Sequence, residues 1–180
     1  RHAVDVYSFG SAYLGVKTHP FIVHADPNED GFKIESLAVD SKMTDRLDDR
    51  VGLLKGVDRL RRDIDSGGVF SSQDHFNTQA LEMMGSAEVR DAFDLSREND
   101  RLRERYGRHS WGQRAILARR LVEAGASFVT VVMENPYVSG VKWPKNGTYN
   151  WDSHAVNCHL FDDARVRLPI YDRVVTAMVE

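Results

Sequence analysis

Trp151-Asp152-Ser153-His154 is the segment best equipped for chemistry, because it sets a carboxylate and an imidazole two residues apart. In extended backbone, residues i and i+2 project to the same side, so both groups could reach one cation. On a helix they would lie roughly 200° apart and could not. Chelation by Asp152 and His154 therefore requires an extended or irregular backbone at this point. One carboxylate oxygen with one imidazole nitrogen suits zinc, manganese or iron better than calcium. A catalytic zinc usually takes three protein ligands and keeps one position open, so further donors are expected from His159, from His109, or from outside this chain. The structural alternative is that Asp152 or Ser153 caps a helix starting near Asn157, with His154 an ordinary histidine.

The other reactive side chains carry less. Cys158 is the sole cysteine, which rules out an intrachain disulfide and a cysteine-based zinc cluster. A lone cysteine on a helix usually acts as a small buried hydrophobe. Asp74-His75 stands near a helix start, where an aspartate cap explains the pair, and His19 and His24 have no implied partner. Ser11, within Gly10 to Gly15, lacks the Gly-x-Ser-x-Gly spacing of an exposed nucleophile. Asn146-Gly147-Thr148 fits the glycosylation pattern and reads as a turn.

Composition bounds the function class. The chain has 180 residues, 42% apolar and 28% charged, with a net charge of -3. Basic and acidic residues are interleaved, so nothing favours nucleic acid. No apolar run approaches the ~18 residues of a membrane span. The chain opens on Arg1 and its first methionine is Met43, while an amphipathic helix expected from Pro169 to Glu180 has no terminal glycine or breaker. These ends are read as those of an internal piece of a longer protein, a single incomplete domain over residues 1-180.

The elements that would position the site follow from periodicity and caps. Phe21-Ile22-Val23 and Phe32 to Val39 are expected as short extended segments between turns. Thr44 to Ile64 has apolar residues at three- and four-residue spacing, predicting a helix, and a second is expected over Ser72 to Met84. Ser86 is expected to cap a short helix through Phe93, and Glu98 to Arg105 to form a turn or two ending at Tyr106-Gly107. Ser110 is expected to cap a strong helix to Glu123, closed by Ala124-Gly125 and burying Trp111, Ala115, Ala118, Leu121 and Val122. Ser127 to Met133 then reads as a buried parallel strand. Helix, glycine turn and buried strand together make half of a crossover unit, so the expected class is α/β. The long loop from Glu134 to about Asn150 would leave the carboxyl end of that strand and deliver Asp152 and His154 where α/β folds gather ligands.

The motifs also match a family. Gly10-Ser-Ala-Tyr-Leu-Gly15, His19-Pro-Phe21, Asp58-Arg-Leu-Arg-Arg62, Ala92-Phe-Asp-Leu95, Tyr106-Gly107, Gln113, Leu117-Ala-Arg-Arg-Leu-Val-Glu-Ala-Gly125 and Trp151-Asp-Ser-His154 occur in order along nearly the whole chain. The combination resembles the domain-of-unknown-function family 1501, bacterial proteins commonly described as sulfatase-like. The resemblance implies membership of the alkaline phosphatase superfamily, with a partial sheet of that type, flanking helices and a helix-rich middle. It further implies a metal site for hydrolysing phosphate or sulfate esters, a longer parent chain, and export to the periplasm behind a twin-arginine signal. The family's Trp-Asp-Thr-His motif falls on Trp151, Asp152, Ser153 and His154, making Asp152 and His154 the implied ligands of zinc or manganese. Two departures stand out: Ser153 replaces threonine, and the phosphatase pattern separates its paired Asp and His by three residues rather than one. The family's other ligand segments have no counterpart here, so no nucleophile is assigned and the fragment is expected to be inactive alone. The small-molecule or polysaccharide ester reading has a rival: a non-catalytic cell-envelope binding or structural protein. In that case Tyr137, Trp143, Tyr149 and Trp151 would serve recognition or simple packing.

Overall fold

Caps and close backbone approaches decide where the helices of this protein begin and end. A computed structural model describes residues 14, 20–34, 86–137, 139–148, 150–152 and 159–180. The chain divides into two compact units, one comprising Arg1–His24 and Glu35–Ala87, the other Ala25–Ile34 and Glu88–Glu180. The described residues of the first unit include Leu14, Phe21 and Ile22, all exposed. The helices expected over Thr44 to Ile64 and Ser72 to Met84 lie outside the described residues, as does the segment 37–39.

Among the described residues four α-helices follow in order: α1 (Ala87–Phe93), α2 (Asp100–Tyr106), α3 (Ser110–Glu123) and α4 (Leu160–Val179), with a 3-10 turn at Leu95–Arg97 between α1 and α2. Asn99 caps α2, its side chain accepting from the Arg101 N–H at 2.7 Å. Gly107 ends that helix at φ +100, a region that favours glycine. At the other end of α3 the Gly125 N–H donates to Val122 O and the Ala126 N–H to Leu121 O, the paired bonds of a Schellman close. The expected ends of α2 and α3 therefore hold, whereas α2 begins at Asp100 rather than Glu98.

Helices α2, α3 and α4 each pack against the other two. Trp111, Ala115, Ile116 and Val174 are fully buried at the centre. The buried side of α3 is broader than its apolar stripe predicts: Ser110, Gly112, Gln113, Ile116 and Leu117 are also inside, whereas Val122 is exposed. Gln113 explains part of this. Its Oε1 accepts from Arg103 Nε at 2.6 Å and its Nε2 donates to Gly107 O at 2.8 Å, tying the end of α2 to the start of α3. Gly112 allows that approach, because a Cβ there would collide with the Gly107 and Tyr106 carbonyl oxygens. Glu98 binds the far end of α3, accepting from Arg119 Nη2 at 2.5 Å and Arg120 Nη1 at 2.7 Å. Burial pushes the Glu98 carboxyl up, and the hydrogen bonds from Arg120 and Arg119 more than offset this, holding it below its usual range.

The α/β expectation is overturned. Among the described residues there is no strand and no sheet, so neither the strand at Ser127 to Met133 nor a partial alkaline-phosphatase-like sheet is found. A buried strand needs neighbours to take its backbone groups. Here the last carbonyls of the segment go to side chains instead: Val132 O accepts from Arg114 Nη1 at 3.1 Å and Met133 O from Trp151 Nε1 at 2.7 Å. Phe128, the largest apolar residue of the run, is 86% exposed. Phe21 to Val23 and Phe32 to Ile34 likewise form no strand.

Helix α4 also corrects its expectation. It starts at Leu160 and runs through Pro169, rather than starting there. Proline lacks the N–H that would bond back to Arg165 O, a loss that matters less where the exposed face leaves that carbonyl to water. Asp162 and Asp163 lie in the first turn, where the helix dipole favours negative charge.

Replacing Gly112 with alanine should destabilise the protein by at least ~2 kcal/mol, the middle of the overpacking range, because the opposing atoms are backbone. Urea unfolding monitored by far-ultraviolet dichroism would measure it; a loss below about 0.5 kcal/mol would show that the α2–α3 junction relaxes freely.

Candidate functional site

The loop from Glu134 to Asp152 is wrapped around a buried guanidinium. Asp163, Arg167, Val174 and Ala177 form the buried stripe of α4, so this face opens with an ion pair and closes with apolar residues. Arg167 is 1% exposed and Asp163 5%. Arg167 Nε meets Asp163 Oδ2 at 2.8 Å, one helical turn away. A buried charge is tolerated only when its remaining donors are also satisfied. Arg167 Nη1 donates to Glu134 O at 2.5 Å, and Nη2 to Thr148 O at 3.0 Å and Thr148 Oγ1 at 3.1 Å. Both ends of the loop are thereby fixed to one side chain.

The carboxylate is shared in the same way. Asp163 Oδ1 accepts from the Tyr137 hydroxyl at 2.8 Å and from the Thr148 N–H at 3.2 Å. Burial raises the Asp163 carboxyl, but hydrogen bonds from Arg167, Tyr137 and the Thr148 backbone lower it further, so it stays ionised below its usual range. Burial first, and then the bond to Asp163, push the Tyr137 phenol far up. Tyr137 is therefore a fixed donor and not a general base. The turn that delivers it is set by Asn135, whose Oδ1 accepts from the Tyr137 N–H at 2.9 Å.

Aromatic rings complete the clamp. Trp151 stacks on Trp111 at 5.7 Å and 24°, and Tyr171 meets both rings edge-on, at 6.5 Å from Trp111 and 5.9 Å from Trp151. The Arg167 guanidinium lies 5.0 Å from the Trp151 ring centroid. Trp143 packs on Tyr137 at 4.8 Å. Tyr137, Trp143 and Trp151 thus make internal contacts, while Tyr149 lies outside the described residues.

Asp152 follows this anchored tryptophan directly. It is exposed, on irregular backbone rather than in a helical turn. Its N–H donates to Asn150 Oδ1 at 3.0 Å. Helix α4 begins only after His159, so Asp152 does not cap it. Ser153, His154 and Cys158 lie outside the described residues, as do Ser11, His19, Asp74 and His75. A carboxylate on irregular backbone is chemically an oxygen donor for a divalent ion, and His154 would add a nitrogen donor. Among the described residues no group of three or more His, Cys, Asp or Glu side chains could hold a metal.

The two further histidines have other tasks. His159 is the N-cap residue of α4, with its Nδ1 at 3.6 Å from Asp162 Oδ2. His109, rather than Ser110, is the N-cap of α3: its buried Nδ1 accepts from the Gly112 N–H at 3.0 Å. An accepting Nδ1 puts the proton of the neutral ring on Nε2, leaving no lone pair for a metal. Burial, then the charge of Arg173, lower the His109 pKa from 6.5 to about 4, with Asp26 opposing. Asn146-Gly147-Thr148 forms the expected turn, closed by Gly147 N–H to Pro144 O at 3.1 Å, with Thr148 buried.

The Arg167 clamp is absent from the sequence reading. Asp163 and Arg167 at helical i, i+4 spacing were its one local sign; their partners Glu134, Tyr137 and Thr148 are distant in the chain.

The described residues thus define a helical unit carrying a loop clamped on a buried ion pair. The chain matches the family described as "Protein of unknown function (DUF1501)" over residues 2–180, and it belongs to that family. No curated protein and no solved structure matches it.

Two outcomes follow for stability. Between about pH 6.5 and 4 the unfolded state takes up a proton at His109 that the folded state refuses, so stability falls as pH falls through this window. The upper bound is about 3 kcal/mol, reduced by whatever solvent reaches the ring. His109→Asn keeps a capping acceptor without titrating, and should flatten the slope of unfolding free energy against pH; an unchanged slope would clear His109 of the effect. Separately, Arg167→Leu leaves Asp163 buried and unpaired and should cost ~3–5 kcal/mol in urea unfolding, with the double variant Asp163→Leu, Arg167→Leu recovering part of it.

Proposed function

We propose that the intact protein is an exported, metal-dependent hydrolase of phosphate or sulfate esters, sulfatase-like and of the alkaline phosphatase superfamily, in which Asp152 and His154 are metal ligands. The observation that carries this reading is an exposed Asp152 on irregular backbone, immediately after a tryptophan fixed on three sides. Irregular backbone at Asp152 is what the i, i+2 chelation reading requires of that residue. The family's Trp-Asp-Thr-His motif, matched by Trp151, Asp152, Ser153 and His154, supports it further. The reading rests on these residues and not on a sheet. Among the described residues no helix is long and apolar enough to cross a membrane.

A divalent zinc or manganese ion would supply Lewis acidity toward a phosphoryl or sulfuryl oxygen and lower the pKa of a nucleophile. The chain's own contribution is placement. In this reading Asp152 would supply a carboxylate oxygen and His154 an imidazole nitrogen. Trp151, through its Nε1 bond to Met133 O, fixes where Asp152 follows it in the loop. The remaining ligands and the nucleophile belong to other residues. The rival reading is a cell-envelope binding protein recognising carbohydrate or protein through loop aromatics; Tyr137 is buried, whereas Trp143 and Trp151 make ring contacts and stay 40% and 48% exposed.

Elemental analysis of the intact protein should find zinc or manganese, and the double variant Asp152→Ala, His154→Ala should lose it. Turnover of aryl sulfates or aryl phosphates should fall more than ~100-fold in that variant, beyond the loss expected from removing a mere supporting partner. Metal content unaffected by the double substitution would refute the ligand assignment and favour the binding protein.

A further inference from the structure

We propose that Asn146 is a site of spontaneous deamidation, and that its conversion to isoaspartate releases the loop from the Arg167 clamp. Asn-Gly occurs once in the sequence, at Asn146-Gly147. The residue after an asparagine decides whether the next backbone nitrogen can reach the side-chain amide carbon. Asn135 is followed by a proline, which has no N–H to lose, and Asn150 by the packed Trp151. Gly147 has no side chain to block the approach, and Asn146 is half-buried in a turn, so solvent reaches the pair. The fold cannot accept a bulkier neighbour: a Cβ at Gly147 would meet Pro144 Cγ at 2.8 Å and Trp143 Nε1 at 3.1 Å. The packing that demands glycine therefore leaves the asparagine labile.

Solvent base takes the Gly147 amide proton, and the nitrogen attacks Asn146 Cγ. The Cγ–Nδ2 bond breaks, ammonia leaves and a succinimide closes. Water then opens the ring; opening at the main-chain carbonyl routes the backbone through Cβ and Cγ, which is isoaspartate. Two hydrogen bonds restrain the first step. Pro144 O accepts from the Gly147 N–H at 3.1 Å, holding the proton that must depart. Asp162 Oδ2 accepts from Asn146 Nδ2 at 3.2 Å, holding the amide against the first turn of α4.

The product conflicts with what surrounds it. Isoaspartate lengthens the backbone by one methylene two residues before Thr148, and its new carboxylate replaces a donor to Asp162 with a like charge. Thr148 is 1% exposed and cannot shift without loss. Its N–H donates to Asp163 Oδ1 at 3.2 Å, and its carbonyl and hydroxyl oxygens accept from Arg167 Nη2 at 3.0 and 3.1 Å. Modification at Asn146 thus opens the Thr148 arm of the clamp, while the bond from Arg167 to Glu134 O lies on the other arm.

The full chain is aged in mildly alkaline buffer at physiological temperature, beside Asn146→Gln, Asp162→Ala and Asp162→Asn. Isoaspartate is read by enzymatic methylation of proteolytic peptides, with the Asn146 peptide resolved from that of Asp30-Gly31, and Thr148 protection by amide exchange. Isoaspartate at position 146 should accumulate in the parent and be missing from Asn146→Gln. Asp162→Ala should quicken its formation about fivefold, the factor that one ordinary hydrogen bond supplies. Asp162→Asn keeps an acceptor and should stay close to the parent. In the aged protein, exchange at the Thr148 amide should quicken at least ~10-fold, while amides at the centre of α3 keep their protection. An Asn146 that stays intact under conditions where the urea-unfolded chain deamidates there would overturn the site. Isoaspartate at 146 with unchanged Thr148 exchange would overturn release of the clamp. Equal rates in Asp162→Ala and the parent would refute the restraint by Asp162.

Discussion

A guanidinium taken out of water has to find its hydrogen-bond partners in the protein, and Arg167 imposes that constraint on everything around it. Asp163 answers for its charge from the preceding helical turn. The donors that face away from the helix can be met only by another segment, and the Glu134 and Thr148 carbonyls meet them. A loop that would otherwise have to be ordered by apolar contacts is thereby closed by one side chain. The same guanidinium lies under Trp151, which lies on Trp111 at the centre of the helix packing. The position of the surface carboxylate at Asp152 is in this way a consequence of burial at α4.

Arg173 acts in a similar manner on a smaller scale. It donates from α4 to the Arg105 and Glu104 carbonyls at the end of α2. Those are groups that an isolated helix leaves unsatisfied, and the positive charge also suits the negative end of the helix dipole. The two arginines show how α4, an element with a modest apolar face, is held by polar contacts as much as by Val174 and Ala177.

Local signals were legible in the sequence and distant ones were not. The ends of α2 and α3 follow from glycines: Gly107 and Gly125 each act through neighbours within a few residues. The error at Ser127 to Met133 has the opposite origin. A β-branched apolar run announces that its side chains are compatible with a sheet, but a strand exists only where another strand takes its backbone groups. Side chains from Arg114 and Trp151 take two of these carbonyls instead, and no local pattern declares that. Pro169 misled for a related reason, since a proline reads as a first-turn residue unless the exposure of the missing hydrogen bond is known. At the candidate site, Asp152 stood out by residue type and spacing. Arg167, beneath Trp151, has partners at Glu134 and Thr148 set by tertiary structure and gave no comparable sign.

The segment around Phe128 has one practical consequence. Ser-Phe-Val-Thr-Val-Val-Met at 127–133 contains no charge, no proline and no glycine, and its phenylalanine stands in water. Peptides of that character pair readily with copies of themselves once their backbone is free, whatever the stability of the surrounding helices. Solubility of this chain is therefore governed by a different stretch from the one that governs its folding. A single lysine in place of Phe128 would raise the concentration at which the protein can be handled without disturbing the clamp on Arg167.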